Sequence, residues 1–520
     1  MTNQQSEFSP EIAEAGTVFG HPSGLFILFF TEMWERFSYY GMRALLVLFL
    51  VSDAAAGGWA WEREDALKLY ATYTGLVYIT PILGGLLADK LIGYRKAVML
   101  GAFLMTCGHA SMAFESPFFF YLGLALLILG NGAFKPNISS IVGGLYKQES
   151  DKKDSAYTIF YMGINAGAFL GILLCGYVGE KVGWSYGFGL AGIFMFLGML
   201  QFYFGQGIFG TVGLSPQKKD NSIVKPQMEA ADKKVETDRL VVIGIFSFFT
   251  IFFWMAFEQA GGSMTIFAKD YTNRVLTDSS ATLFFWINTA LTIGPLAIIT
   301  WVLFKLFSQT FKKFALSNIF IGSSFVIIWG IALWMVKTDY DAAALGGQAE
   351  VPASWFGILN SFFIIALAPL FSKMWESKFN PSGPVKFGIG LILLGLGFGV
   401  LAYGGIPIGK GAQTASISMV WLILAYLLHT LGELCVSPVG LSYVSKLAPA
   451  RLVGLMFGIW FFASAIANYL AGWTASFIDK IAEVYSMSGF FMIYTLIPVG
   501  AGLVMILMSG FIRKKMHGIH

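Results

Sequence analysis

The sequence predicts an all-α polytopic membrane protein of twelve core transmembrane helices in two six-helix bundles, with two extra helices. Three observations carry this. Apolar residues make up 56% of the 520 positions and charged residues 12%, with a mean hydropathy of +0.68; ordinary soluble domains hold about 25% charged residues. Runs of about 20 apolar residues, each long enough to cross a bilayer, recur fourteen times from end to end. Positive charge is also uneven. Loops after even-numbered runs, with the run ends beside them and both termini, hold 23 of the 34 Lys and Arg, the opposite loops hold 8, and 3 lie within spans. By the positive-inside rule that asymmetry puts both termini in the cytoplasm.

The spans run at about 24–51, 68–89, 95–114, 117–145, 155–179, 185–210, 239–268, 280–307, 315–336, 354–375, 384–405, 416–446, 452–478 and 487–512. Residues 1–23 form a short cytoplasmic segment; Glu7, Glu11 and Glu14 with no Lys or Arg are unlike the basic start of a cleaved signal peptide. Six spans, 24–210, precede the longest polar connection, 211–238, which carries Lys218, Lys219, Lys225, Lys233 and Lys234 and is read as a cytoplasmic linker. Eight spans follow in 239–512, six for a second bundle and an extra pair at about 280–336, before a tail at 513–520. Two halves around a central cavity is the major facilitator architecture, in which the site lies near the midplane. Cys107, Cys175 and Cys435 all fall inside apolar runs and read as small buried hydrophobes. No signal points to a nucleic-acid partner; the surroundings of this chain are the lipid bilayer.

The first span contradicts its own hydrophobicity. Glu32, Glu35, Arg36 and Arg43 stand inside it, and each charge at the bilayer centre costs about 3 kcal/mol on insertion scales. At 100° per residue, Glu32, Glu35, Arg36, Tyr39, Tyr40 and Arg43 share an arc of about 140°, while Met33, Trp34, Phe37 and Gly41 occupy the other side. Such a helix borders a water-filled cavity, which points toward transport. Lys135, Glu258 and Glu433 are further charges within spans. The set Glu32, Glu35, Glu258 and Glu433 against Arg36, Arg43 and Lys135 is one positive charge short of neutral.

Six segments carry a resemblance. Glu32-x-x-Glu35-Arg36-Phe37-x-Tyr39-Tyr40 resembles the first-helix signature of the proton-dependent oligopeptide transporter family of the major facilitator superfamily. Gly84-Gly85-Leu86-Leu87-Ala88-Asp89 through Gly93-Tyr94-Arg95-Lys96 is similar to the signature joining helices 2 and 3. Gly130-Asn131-Gly132-Ala133-Phe134-Lys135-Pro136-Asn137 and Phe160-Tyr161-Met162-Gly163-Ile164-Asn165-Ala166-Gly167 resemble the motifs of helices 4 and 5. Phe257-Glu258-Gln259-Ala260-Gly261-Gly262-Ser263 and Gly432-Glu433-Leu434-Cys435-Val436-Ser437-Pro438-Val439-Gly440 resemble those of helices 7 and 10.

The resemblance implies a proton-coupled symporter importing di- and tripeptides across the plasma (bacterial inner) membrane by alternating access, with protons as coupling ion and no other cofactor or metal. Charge type and resemblance together make Arg36, Arg43 and Lys135 candidates for the peptide carboxylate and Glu433 for its amino terminus. Tyr40, Tyr78, Tyr161, Asn165, Asn360 and Ser437 would supply neutral hydrogen bonds, and Trp254, one turn before Glu258, an aromatic wall. Proton coupling is expected of Glu32, Glu35, Arg36, Lys135, Glu258 and Glu433. The resemblance also suggests Arg43 with Glu258, and Lys135 with Glu433, as pairs in the empty protein. A peptide is a zwitterion, so one proton bound with it would neutralise the loaded site. Asp89 with Arg95 reads as a conformational latch at the cytoplasmic end.

Two departures from the family pattern stand out. The extra pair falls between helices 7 and 8 rather than in the linker; Asn360, with Pro369 nine residues on, fits the family's helix 8 pattern better than Asn288 with Pro295, which is the runner-up. Helix 2 also lacks the histidine that animal members use in proton handling, which leaves the task to carboxylates. His429, four residues before Glu433, reads as a core histidine rather than a relay. A carrier of nitrate or another small solute is the alternative; an enzyme is not expected without a nucleophile and base or a metal set, and mixed charge signs disfavour a channel.

Overall fold

The computed structural model describes residues 16–147, 152–214, 230–344, 348–377, 380–449 and 452–519. Most of the segment 1–23, with its three glutamates, and Lys218, Lys219 and Lys225 of the linker lie outside them. Fourteen long helices follow one another: α1 Ser23–Val51, α2 Arg63–Leu87, α3 Tyr94–Met112, α4 Pro117–Gly144, α5 Lys152–Lys181, α6 Trp184–Gly205, α7 Ala230–Phe257, α8 Asp278–Thr310, α9 Ala315–Ala344, α10 Ile358–Glu376, α11 Gly383–Gly404, α12 Val420–Leu447, α13 Val453–Ala475 and α14 Ile478–Leu507. A short helix, α15 Ser509–Lys515, ends the chain.

Twelve helices among the described residues are long and apolar enough to cross a membrane. The other two of the fourteen expected spans are α1, with two glutamates and two arginines in its interior, and the 19-residue α3, which opens on Arg95 and Lys96. The chain is an integral multi-pass membrane protein. Boundaries differ from the sequence reading where helices outrun the apolar run. Thus α7 starts at Ala230, so the last residues of the expected linker are helical. In α14 the backbone breaks at Ser486, φ 71°, which is where the apolar span was expected to begin. Between α2 and α3, Gly93 turns the chain with φ 80°, a conformation costly for any residue with a Cβ.

The helices gather in two compact units that do not follow chain order. The first takes in α1 as far as Leu45, α2 from Thr80 onward, α3 to α6, and the hairpin α8–α9 on to Trp355; the second takes in the end of α1, α2 as far as Ile79, α7, and α10 to α15. The sequence division had put the extra pair with the second bundle, and the packing of α9 explains the difference. Ser317 Oγ donates to the Gln201 carbonyl of α6 at 2.8 Å. Phe320 stacks on Phe204, and Phe325 meets Phe30 and Trp34 edge-on at 5.7 Å. Beyond α9, the Glu180 carboxylate accepts the N–H groups of Ala353 and Ser354, both at 2.9 Å, and Trp355 Nε1 donates to the Leu173 carbonyl.

Inside the first unit, α1 is held on two sides. A Cβ at Gly167 of α5 would collide with the Met33 carbonyl and stand 2.9 Å from Arg36 Cβ, so only glycine allows this approach. On the other side, buried Gln201 is fully engaged. It accepts from Trp34 Nε1 at 3.1 Å and donates to the Ile27 carbonyl and Thr31 Oγ1, each at 3.0 Å. Buried amides are tolerated only when so satisfied, and these bonds fix the rotation of α1 about its axis. In the second unit, the Arg63 guanidinium at the start of α2 binds Asp270 and Asp479, each at 2.8 Å. Gln259 Nε2 donates to the Ala471 carbonyl of α13 at 2.8 Å and Ser263 Oγ to Gln259 Oε1 at 2.6 Å, anchoring the region where α7 unwinds.

Candidate functional site

The first unit's cluster is built on the polar face of α1. Arg36 Nε stands 3.1 Å from Glu32 Oε1, one helical turn back, and pairs also with the adjacent Glu35 carboxylate. From α4, Asn131 Nδ2 donates to Glu35 Oε1 at 2.9 Å. All four residues are at most 3% exposed, so a charge here can persist only because it is paired. The Arg36 guanidinium also lies over the Tyr39 ring, 5.4 Å from its centroid. Lys135, one turn beyond Asn131 and just before the helix-interior Pro136, is half-buried and within electrostatic reach of both glutamates.

The other candidates of this unit sit on the same helices. Arg43 is buried and Tyr40 half-buried on α1, with the Tyr40 ring 5.1 Å from that of Tyr39. On α5, Asn165 is buried and donates to the Tyr161 carbonyl at 3.0 Å, while the Tyr161 side chain is exposed. Glu32 and Glu35 against Arg36, Arg43 and Lys135 give this unit's set a net charge of +1.

The second unit's cluster is different in kind. Asn360 Nδ2 of α10 donates to Glu433 Oε2 of α12 at 2.8 Å and approaches Thr430 Oγ1 at 3.2 Å, while Thr430 donates to the Tyr426 carbonyl at 2.8 Å. Glu433 and Glu258 are buried and lie within electrostatic reach of each other. Glu258 opens a tighter turn, Glu258–Gly261, where regular α7 stops; at Gly262 the backbone leaves the helical region, φ −119°, ψ −105°. Trp254, one turn earlier, meets Phe257 edge-on at 5.2 Å. Tyr78 on α2 and Ser437, one turn past Glu433, are half-buried. This set carries two negative charges.

Asn360 and Asn288 differ in their partners. Asn288 donates to Asp339 at 2.8 Å inside the α8–α9 hairpin, so it serves the hairpin, and Asn360 is the residue beside Glu433. Asp89 and Arg95, read as a conformational latch, have separate partners here. Asp89 accepts from the Tyr94 hydroxyl at 2.9 Å, whereas Arg95 donates to the carbonyls of Val212 and Gly210, at 2.6 and 2.5 Å, and lies over Phe209. Carbonyls left open where α6 ends outcompete an exposed carboxylate for a buried guanidinium. His429 packs on the Phe398 ring with centroids 4.4 Å apart, as a core residue does. Sequence reasoning did not single out Asn131 or Thr430; Asn131 could have been found from its place four residues before Lys135, on the same face of α4.

The sequence profile of the POT family matches residues 95–225 and 341–496. The chain belongs to the POT family. Among its relatives, a Bacillus subtilis protein named an uncharacterized transporter, YclF, is 35% identical over 96% of both chains. The di-/tripeptide transporter of Lactococcus lactis subsp. cremoris is 30% identical over 96% of this chain and 97% of its own. Among solved structures, the peptide transporter POT in complex with sulfate superposes with a TM-score of 0.75 at 28% identity, covering 97% of this chain and 98% of that one. This POT member therefore has the major facilitator architecture read from its span pattern, with the hairpin α8–α9 as its two extra helices.

Proposed function

We propose that this chain is a proton-coupled symporter that imports di- and tripeptides across the bacterial inner membrane, with both termini cytoplasmic and protons as its coupling ion. The observation that carries the reading is the division of charge: +1 on the first unit's set of Glu32, Glu35, Arg36, Arg43 and Lys135, and −2 on the second unit's Glu258 and Glu433. A short peptide has the matching asymmetry. Its carboxylate suits Arg36, Arg43 and Lys135, whose guanidinium forks and ammonium bind carboxylates well, and its ammonium suits Glu433, held ready by Asn360.

The empty set sums to −1, and a zwitterion leaves that sum unchanged. One proton taken up by Glu32, Glu35, Glu258 or Glu433 brings the loaded carrier to neutrality, which lowers the penalty of moving it through hydrocarbon. Peptide amides recur in every sequence, so neutral partners such as Tyr40, Tyr78, Tyr161, Asn165, Asn360 and Ser437 serve many side chains, with Trp254 as an apolar wall. The relatives named for di- and tripeptides support the same substrate class. A nitrate carrier would have no use for the second unit's two carboxylates.

The test is uptake of labelled dialanine into proteoliposomes with and without an inward proton gradient. Accumulation above the external concentration only with the gradient is the expected result. Accumulation that ignores the gradient removes the symport claim, and uptake of nitrate but not dipeptide removes the substrate.

A further inference from the structure

A cavity of about 430 Å³ lies in the second unit where α10 ends, α11 begins, α12 ends and the chain leaves α14. Three cations line it, Lys386, Lys446 and Arg513, along with Trp375, Ser442 and Tyr443, and no Asp or Glu is among its lining residues. The three make no ion pair among the described residues. Their neighbours differ: Lys515 and His517, in the same stretch as Arg513, are both taken by Asp238. The half-buried Lys386 ammonium is instead held over the face of Trp375, 4.4 Å from the ring centroid, a neutral partner that attracts a cation without cancelling its charge. The first turn of the 22-residue α11 abuts the cavity; Ser382 does not cap it, Pro384 has no N–H and the Gly383 N–H is directed at the Tyr443 hydroxyl, so the helix adds its partial positive charge and not a set of free donors.

Three like charges line one hollow, Lys386 half-buried and Lys446 and Arg513 exposed; water screens part of their mutual repulsion, and an anion in the hollow relieves the rest. A carboxylate offers two acceptor oxygens in one plane. A phosphate group, with one negative charge as a lipid diester and up to two as the free ion, offers several acceptor oxygens around one phosphorus, which matches two ammonium groups, a guanidinium fork and a helix end together. The hollow has the size of small-molecule sites, and it lies on the side of the topology richest in Lys and Arg. Basic pockets between helices on that side suit phospholipid headgroups. We propose that this cavity binds a phosphate group, carried on an anionic lipid headgroup or free in solution, at a site separate from the Glu433 cluster.

Thermal unfolding of the purified full-length protein in neutral detergent tests this. Phosphatidylglycerol, phosphatidylcholine, inorganic phosphate and chloride at matched ionic strength are added in turn. A saturable rise in Tm of several degrees with phosphatidylglycerol or phosphate, and none with phosphatidylcholine or chloride, is expected. A rise with the lipid alone assigns the site to headgroups, and a rise with phosphate as well shows that the free ion suffices. Lys386→Gln with Arg513→Gln should abolish the rise, and Lys386→Arg with Arg513→Lys should keep it. Should the double Gln variant elute as aggregate, Lys446→Gln, at an exposed position, should at least halve the rise. Equal shifts from all four additives, or an undiminished rise in the Gln variants that fold, would overturn the proposal.

Discussion

The polar cluster of the first unit and that of the second solve one problem in opposite ways. Both bury carboxylates in membrane-spanning helices. In the first, Glu32 and Glu35 converge on the Arg36 guanidinium with Asn131 as an added donor, so charge is met by charge. In the second, Glu433 takes its hydrogen bond from the amide of Asn360, and charge is met by a dipole. A carboxylate locked to a guanidinium can change state only by gaining a proton or exchanging its partner. One held by an amide leaves an arriving cation no resident guanidinium to displace. The first cluster is thus suited to coupling and the second to recognising an ammonium.

The largest expected effect comes from removing the guanidinium. Arg36→Ala strands two buried carboxylates, and breaking a buried pair costs about 3–5 kcal/mol. Dipeptide uptake in proteoliposomes should fall to background, and near-normal uptake would dissolve the contrast between the clusters. Next come Glu32→Gln and Glu35→Gln, which mimic the protonated state. Each should lose gradient-driven accumulation yet retain exchange of internal for external peptide. Loss of both activities would make the carboxylates structural, and retention of both would move the proton to Glu258 or Glu433.

The two asparagines sharpen the comparison further. A hydrogen bond to a charged group is worth about 1.5–3 kcal/mol. Asn360→Leu should raise the KM for dipeptide about tenfold, that is by 1.4 kcal/mol, because Glu433 loses the donor that orients it. Asn131→Leu should lower Tm with a much smaller change in KM, because Glu35 keeps Arg36; equal KM effects would mean both clusters touch substrate alike.

The smallest effect lies in the loop after α9. Partial burial pushes the Glu350 carboxyl up, but the Lys181 hydrogen bond and the Arg274 and Lys181 charges outweigh it and hold it below its ordinary value. A depressed carboxylate stabilises the fold above its unfolded pKa and loses that contribution as pH falls through the folded one. Since Glu350 is largely exposed, Glu350→Gln should cost under about 1 kcal/mol near neutrality and almost nothing well below pH 4, read as Tm against pH.

What could be read in the sequence, and what could not, follows from the range of the forces involved. The fourteen long helices were legible because twelve of them carry the continuous apolar run that crossing a bilayer demands, and α1 showed its polar face through charges at helical spacing. The spatial home of α8–α9 was not legible, because it rests on contacts such as Ser317 with Gln201 and Phe325 with Trp34, which no local pattern announces. The partners of Arg95 were hidden for a related reason: they are backbone carbonyls just past the end of α6, and carbonyls are present at every residue. Asn131 and Asn360 differ in the same sense. Each is an amide in a largely apolar helix, and only the helix packed beside it reveals the carboxylate it serves.

The most direct measurement compares dialanine with N-acetyl-dialanine as competitors of labelled dipeptide uptake in wild-type protein and in Glu433→Gln. The wild type should bind dialanine at least tenfold more tightly than the acetylated form, and the variant should bring the two within a factor of about two by weakening dialanine alone. Equal losses for both ligands, or a preference for the free amine that survives in Glu433→Gln, would contradict the assignment of the peptide's amino end to the second unit.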